Sequence, residues 1–267
     1  MNELLEAATK AANIGGEILM RYFRDGVQMR DKSESGGKTY DLVSDADIES
    51  EQAIGDFLRE KFPEHELMGE EDLVGNVDAE HLWIIDPLDG TNNFAHQIPH
   101  FAVSIGYYHL GKPMVAAVLN PARDEMFTAV KGGGAFKNGE RVSVCDSDSF
   151  AKTLIGCGFY YDRGAMMRST LAAVEEFFGQ DIHGIRRFGT AALDLCQVGC
   201  GMFGGFFEYQ LSPWDFAAGS LFVEEAGGKI TNALGEELPI EKTSVVASNG
   251  KLHAAMIEIT ARHCPAS

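Results

Sequence analysis

The apolar positions near the start of the chain recur with the period of an α-helix. Over residues 3 to 24 they fall on one face, which predicts an amphipathic helix. The segment 25 to 40 is rich in Gly, Ser, Lys and Asp without a period, and it predicts an exposed, mobile loop. A second helix is predicted after Ser44, because acidic residues fill its first turn, where they complement the helix dipole.

The pattern changes from helical to strand-like at Leu82. Short apolar and β-branched runs separated by Gly, Pro and Asn predict strands of a sizeable sheet: LWIID, FAVSIGYY, MVAAVLN and EMFTAV. Asn138-Gly139 predicts a tight hairpin, since this pair readily adopts positive φ angles.

The second half of the chain alternates between strand and helix patterns, which is typical of an α/β fold. The predicted strands lie near 153–157, 184–187, 203–208, 229 and 244–248, and the predicted helices cover 164–178, 190–200, 213–226 and 251–262. Because neither an internal repeat nor a clear linker is found, we predict one continuous domain over residues 1–267.

The charge balance narrows the range of partners. Forty acidic residues against 22 basic residues give a formal charge of -18, and without a basic patch this charge repels nucleic acids and anionic membranes. An acidic protein that binds an anionic substrate needs bound divalent cations to invert the local field.

Cysteine usage and the N-terminal sequence predict a cytoplasmic protein. The five cysteines form no CxxC pair and are too sparse for a disulfide framework. The first residues carry Glu3 and Glu6 where a secretory signal needs positive charge, and no run approaches the roughly 20 apolar residues of a membrane span.

The segment 83–94, WIIDPLDGTNNF, holds the most informative chemistry. Pro87 is expected to end the strand ladder and Gly90 to allow a sharp turn, so that Asp86, Asp89 and the Leu88 carbonyl can face one pocket. Such oxygen ligands suit Mg²⁺ or Ca²⁺ better than zinc. A polar turn followed by a helix cap explains the same residues equally well.

Two further acidic segments lie on either side of this one in the sequence. Upstream, Glu70 and Glu71 follow the predicted end of the second helix near Pro63. Downstream, Pro213 suits the first position of a helix that would place Asp215 in its first turn. An acid at that position commonly does no more than complement the helix dipole.

Taken together, these segments resemble the inositol monophosphatase family of magnesium-dependent, lithium-sensitive phosphatases. The ordered motifs that carry the resemblance span essentially the whole chain: DLVSDAD at 41–47, GEE at 69–71, WIIDPLDGTNNF at 83–94, KGGGAFKNG at 131–139, GIRRFGTAALDL at 184–195 and PWDFAAGSLFVEEAGG at 213–228. The resemblance implies a five-layered αβαβα sandwich, a homodimer, and hydrolysis of inositol monophosphate or a similar small phosphorylated polyol.

The resemblance also implies two to three Mg²⁺ ions per active site. Glu70, Asp86 and the Leu88 carbonyl would bind the first ion, and Asp86, Asp89 and Asp215 the second. A third, weaker ion would lie near Glu70. Two such cations can activate water on one side and stabilise the leaving oxygen on the other.

Residue roles in catalysis follow from the same resemblance. Glu70 and Thr91 would orient the attacking water, and Asp47 would be hydrogen-bonded to the Thr91 hydroxyl. A structural role for Asp47 as an acid at a helix start is the alternative. The family's mobile-loop lysine has no unambiguous counterpart, and Lys38 is preferred to Lys32.

On the substrate side, Glu208 matches the acid that accepts hydrogen bonds from inositol hydroxyls, although it could also be a surface strand residue. The substrate contacts implied by the family are Asp89, Gly90, Thr91, Ala191, Glu208 and Asp215. Alternatives are relatives that act on fructose 1,6-bisphosphate, histidinol phosphate or phosphoadenosine phosphate, a catalytically idle interaction module, and a calcium-binding structural protein.

Overall fold

Two N-terminal helices cover one face of a large sheet. The computed structural model describes residues 1–26, 29–31, 42–159 and 162–265. Helix α1 spans Asn2–Asp25 and α2 spans Asp45–Lys61. Both pack on the strands of the sheet, and the buried face of α1 consists largely of alanine and glycine, so that this helix can approach its neighbours closely.

The first large sheet has seven strands in sequence order. A separate two-stranded ribbon joins β1 (Met29–Asp31) to β2 (Leu42–Ser44). The strands of the large sheet are β3 (Glu66–Gly69), β4 (His81–Asp89), β5 (Ala102–His109), β6 (Lys112–Asn120), β7 (Glu125–Val130), β8 (Gly134–Lys137) and β9 (Glu140–Val142). Only the β3–β4 pair is parallel, which reflects the long connection between these strands. A short helix, α3 (Thr91–Ala95), follows β4.

The second sheet has five strands and is covered by helices on both faces. Its spatial order is β11-β10-β12-β14-β13, and its elements are β10 (Leu154–Cys157), α4 (Ala165–Phe178), β11 (Gly184–Arg186), α5 (Ala191–Gly199), β12 (Gly205–Leu211), α6 (Pro213–Glu225), β13 (Lys229–Thr231), β14 (Thr243–Ser248) and α7 (His253–His263). Helices α5 and α6 lie between the two sheets, while α4 and α7 pack on the outer face. The layers therefore run αβαβα, as the sequence resemblance implied.

Helix α6 is the central packing element of this arrangement. It is apolar almost all round and buried from Phe216 to Val223, as expected for a helix that contacts sheets on both sides. Gly106 of β5 permits the close approach, because a Cβ there would lie 3.1 Å from the Ala217 Cβ and 3.3 Å from backbone atoms of α6.

Most elements predicted from the hydrophobic pattern are confirmed. The predicted helices and strands are present with ends shifted by a few residues, and the hairpin has positive φ at Asn138 (48°) and Gly139 (81°). The pattern missed β3, the β1–β2 pair and α3. The strand β1 lies inside the segment 25 to 40 that was predicted as a loop, and the rest of that segment is outside the described residues apart from Asp25 and Gly26.

The prediction that Pro87 ends the strand is wrong. Strand β4 continues to Asp89, which pairs with Ala102 of β5 after a register shift that begins at Asp86. Proline removes one ladder donor, and the chain accommodates this loss as a bulge instead of a strand end. The bulge places two aspartates at one end of a paired, rigid strand.

A buried glutamate on α2 fixes the loop that follows β3. Glu51 is 2% exposed, and its carboxylate accepts hydrogen bonds from the backbone N–H groups of Glu71 (3.0 Å), Asp72 (2.6 Å) and Leu73 (3.1 Å). A Cβ at Gly69 would collide with the same carboxylate. The backbone next to Glu70 is thus held by a side chain from the helical layer.

We expect Glu51→Gln to lower the free energy of unfolding by about 2 kcal/mol, because an amide replaces one acceptor oxygen and leaves a buried N–H without a partner. Urea unfolding of the purified protein measures the change. Glu49→Gln is the matched control: its pairs with Arg21 and Tyr22 are partly exposed, so we expect a loss below about 1 kcal/mol. Equal losses in the two variants would contradict the anchoring role of Glu51.

Candidate active site

A polar cavity of about 240 Å³ opens at the end of β4, between the two sheets. Its walls come from the β4 bulge, the start of α3, the start of α5, strand β12 and the start of α6. Each large sheet has a register shift at this point, after Asp86 in β4 and after Glu208 in β12. Bulges of this kind redirect side chains, and here they direct acids from two sheets into one space.

Three aspartates meet in this cavity. One carboxylate oxygen of each of Asp86, Asp89 and Asp215 lies within 4.8 Å of the others. Asp215 is the third residue of α6, where its Oδ2 accepts a hydrogen bond of 2.6 Å from the N–H of Ser212 in a capping box. The helix-cap role and the cavity role are compatible, since the second oxygen of Asp215 remains for the cluster.

The electrostatics of the cluster oppose its ionisation. Burial raises the pKa of Asp86 well above its ordinary value, and Glu70, Asp89 and Asp215 raise it further. Burial, followed by repulsion from Asp215, raises the pKa of Asp89 to about 8. Burial raises the pKa of Asp215 to about 6. Ionisation of these carboxylates is thus less favourable than in water unless a positive charge compensates them.

The residues present fit a divalent cation with oxygen ligands. The Asp86 Oδ1 accepts a hydrogen bond from the Leu88 N–H at 3.0 Å, whereas its buried Oδ2 has no hydrogen-bond partner among the described residues. An unpaired buried carboxylate oxygen is costly, and coordination to Mg²⁺ or Ca²⁺ would satisfy it. We find no histidine or thiol in the cavity wall among the described residues, which argues against a site built for zinc.

The structure brings most of the other predicted site residues to the same cavity. Glu70, Leu88, Gly90 and Thr91 all line it. Gly90 has φ 93° and ψ 35°, which a residue with a Cβ rarely adopts, and it turns the chain from β4 into α3. The Thr91 hydroxyl donates a hydrogen bond of 3.1 Å to the Leu88 carbonyl.

Asp47 lies at the start of α2, where it forms a capping box with Ser44. It is buried as the third residue of α2, and its Oδ2 accepts hydrogen bonds from the N–H (2.9 Å) and Oγ (2.6 Å) of Ser44. Burial raises its pKa to about 6, opposed by these bonds. The expected bond from the Thr91 hydroxyl is not among the hydrogen bonds between described residues, so a catalytic relay through Asp47 stays a prediction.

The cavity wall also includes Glu208 and Ala191, the residues predicted to contact the hydroxyl groups of an alcohol. Glu208 is 8% exposed and lies over Gly158, where any Cβ would collide with its carboxylate. It is therefore not the surface strand residue considered as an alternative. Burial raises the pKa of Glu208 well above its ordinary value, and Asp215 adds to the effect while Arg187 opposes it. Ala191 is the first residue of α5 and lines the same cavity.

Sequence reasoning missed several cavity residues. Arg187 and Lys242 are exposed side chains at the cavity mouth, and their positive charges lower the pKa values of Glu208 and Asp215 respectively. Asp194 is buried beside Asp89, and burial raises its pKa well above normal. Arg187 and Asp194 both belong to the 184–195 motif, so the sequence resemblance could have indicated them. Lys242 follows an irregular segment that contains no motif.

The two tryptophans lie in different environments: Trp83 is fully buried in the core, whereas Trp214 is half-buried and lines the cavity. Lys38, the predicted loop lysine, lies outside the described residues.

The five-layered fold and the cavity define a layered α/β protein with a cluster of carboxylates between two sheets that could hold a metal ion. The sequence model of the inositol monophosphatase family matches residues 1–264, and the chain belongs to this family. This result confirms the sequence resemblance over almost the whole length.

Relatives and solved structures cover nearly the entire chain. The chain is 39% identical over 266 residues to an inositol-1-monophosphatase of Rhizobium meliloti (99% of this chain, 97% of the relative). It is 40% identical over 265 residues to a putative Nus factor SuhB of Neisseria meningitidis serogroup B (98% and 100%). The solved structure of an IMPase from Thermotoga maritima superimposes with a TM-score of 0.88 at 32% identity, covering 98% of both chains.

These similarities support phosphatase activity on a small phosphorylated molecule. The two kinds of relative carry different names, so the comparison alone does not assign the substrate. Within the part of the chain that is described, no helix has the length and apolar composition needed to cross a membrane. All five cysteines carry free thiols.

We expect the metal-free protein to lose stability as pH rises from about 4 to about 8. Burial raises the pKa values of Asp89 and Asp215, so in this pH range the folded protein binds more protons at these residues than the unfolded chain does. Magnesium replaces those protons only when the carboxylates ionise. Millimolar Mg²⁺ should therefore raise the melting temperature more at about pH 8.5 than at about pH 5. Calorimetry with Na⁺ at matched ionic strength as the control tests this, and equal shifts at both pH values would contradict it.

Proposed function

We propose that the protein is a magnesium-dependent phosphomonoesterase that hydrolyses inositol monophosphate to inositol and phosphate. The observation that carries the proposal is the meeting of Asp86, Asp89 and Asp215 within 4.8 Å in a cavity that also contains Glu70 and Thr91. Membership of the inositol monophosphatase family supports it.

The metal ligands are those that the family pattern names. Glu70, Asp86, the Leu88 carbonyl, Asp89 and Asp215 would hold two to three Mg²⁺ ions. When bound, the ions would lower the pKa of a water molecule and neutralise charge on the phosphoryl oxygens. The high proton affinity of the cluster without cations is consistent with this requirement.

Water is positioned by Glu70 and Thr91. Since the Thr91 hydroxyl donates its proton to the Leu88 carbonyl, its oxygen lone pairs remain to accept a hydrogen bond from water in the cavity. Glu70 would accept the second hydrogen bond and orient the water for in-line attack on phosphorus. The backbone N–H groups around Gly90 and Thr91 would stabilise the phosphoryl oxygens, with no covalent intermediate.

The polyol would bind on the side of Glu208 and Ala191. A buried carboxylate is stabilised only if donors surround it, and adjacent hydroxyl groups of inositol supply such donors. Arg187 at the cavity mouth favours an anionic ligand over a neutral one. Fructose 1,6-bisphosphate, histidinol phosphate and phosphoadenosine phosphate are the alternative substrates. An idle interaction module tends to lose a ligand or base, whereas all of them are present here, and a structural calcium site would have no need for Thr91.

A second candidate function comes from the relatives' names. The Neisseria relative, 40% identical, is called a putative Nus factor. A role of that kind need not depend on turnover. Complementation of a Neisseria strain lacking its relative, by the native chain and by a catalytically inactive variant, separates the two roles. We further propose that the protein is a cytoplasmic homodimer and that residues 1–267 form a single domain.

We expect Asp89→Asn to reduce phosphate release from inositol 1-phosphate more than about a hundredfold. The amide keeps an oxygen that can accept the 2.8 Å bond from the Ala192 N–H, so the fold should survive while a charged ligand is lost. Asp78→Asn, on the exposed surface, is the matched control and should retain full activity. Turnover near the native rate in Asp89→Asn would contradict the ligand assignment.

We expect Glu208→Ala to reduce the preference for inositol 1-phosphate over glycerol 2-phosphate by about tenfold, because the polyol hydroxyls lose their acceptor. The ratio of kcat/KM values for the two substrates measures this preference. Glu258→Ala, an exposed position on α7, provides the control. An unchanged ratio in Glu208→Ala would remove the basis for choosing inositol among the substrates.

A further inference from the structure

A second group of metal-ligand side chains lies at the opposite end of β4 from the aspartates. His81 opens β4 and His109 closes β5, and the two residues face each other directly across the antiparallel pair. Glu80 precedes His81, and its carbonyl accepts a hydrogen bond from the Leu110 N–H, which extends the ladder. The two imidazoles and the carboxylate thus project from a rigid sheet end.

The distances within this group are close to those of a metal site. The Glu80 Oε1 lies 3.8 Å from the His81 Nε2 and 3.4 Å from the His109 Nε2, and all three atoms are within 4.8 Å of one another. Ligands at zinc–ligand distances of about 2.0–2.1 Å in a tetrahedron are about 3.3 Å apart. Because all three side chains are partly exposed, small rotations can close the difference.

The orientation of His81 is set by groups behind it. Its Nδ1 is 2.6 Å from the Tyr107 hydroxyl, so the other ring nitrogen, Nε2, is the one near Glu80 and His109. The ring also stacks between His109 (centroids 5.0 Å apart) and His65 (4.4 Å). A hydrogen bond on the second nitrogen is the usual way that proteins orient a metal-binding histidine.

Packing alone explains only part of this arrangement. The rings of His65, His81 and His109 are stacked, and at the core end of this stack the His65 Nδ1 accepts a hydrogen bond of 3.0 Å from the Trp83 Nε1. Packing does not require the Glu80 carboxylate to lie between two Nε2 atoms. Two imidazoles and one carboxylate with a partly open face match the ligand set of zinc and other borderline cations, not that of magnesium.

We propose that Glu80, His81 and His109 form a second metal site, which binds Zn²⁺ or a similar transition-metal cation and completes its coordination with water. The site joins the ends of β4 and β5 and is separate in place and in chemistry from the carboxylate cavity. It does not depend on the proposed phosphatase function.

Zinc titration of the chelator-stripped full-length protein tests the proposal. Saturating Mg²⁺ is kept present to occupy the carboxylate cavity, calorimetry gives the affinity, and ¹⁵N NMR of the histidine side chains identifies the ligands. We expect the His81 and His109 nitrogens to shift on zinc addition. Glu80→Gln and His109→Gln should each weaken the binding at least tenfold, and Tyr107→Phe should weaken it about tenfold by releasing His81.

His263→Gln is the matched control, since His263 pairs with Glu176 at 2.6 Å in another histidine–carboxylate contact. Its zinc affinity should equal that of the native chain. Magnesium-dependent phosphate release without zinc should be unchanged in His109→Gln, which separates this result from any failure of the phosphatase assignment. Absence of zinc binding, native affinity in both Glu80→Gln and His109→Gln, or shifts confined to other histidines would overturn the proposal.

Discussion

The removal of three neighbouring carboxylates from water is the constraint on which the rest of this structure depends. Asp86, Asp89 and Asp215 are brought within 4.8 Å in an environment that raises the pKa of each. Such an arrangement costs stability unless cations compensate the charge. The surrounding layers therefore have to supply enough packing energy to hold a site that is unfavourable by itself.

The fold meets this requirement with rigid elements. The two aspartates of β4 lie on either side of a bulge, each paired with β5, and Asp215 is fixed by the capping box of a helix packed between two sheets. Glu51 holds the loop after Glu70 from the helical layer. Because ligands come from rigid elements in separate layers, the cavity geometry is set before any cation or substrate binds.

Local signals in the sequence predicted the elements well. Asn138-Gly139 encodes its hairpin through backbone preference, and the acids after Ser44 mark a helix start. The same local logic failed at Pro87, where pairing with β5 resumes beyond the proline. It also gave no sign of Glu51 as a buried anchor, since its hydrogen-bond partners lie about 20 residues away on a different element.

The sequence by itself determined the family, the layered fold and the identity of the carboxylates, because ordered motifs of this kind identify the relatives whose fold they share. Only the tertiary structure decided which of these residues meet. It placed Arg187 and Lys242 at the cavity mouth, buried Glu208 against Gly158, and set His81 opposite His109. Those relations arise from strand register and layer packing, which depend on contacts between distant segments and cannot be read from any one of them.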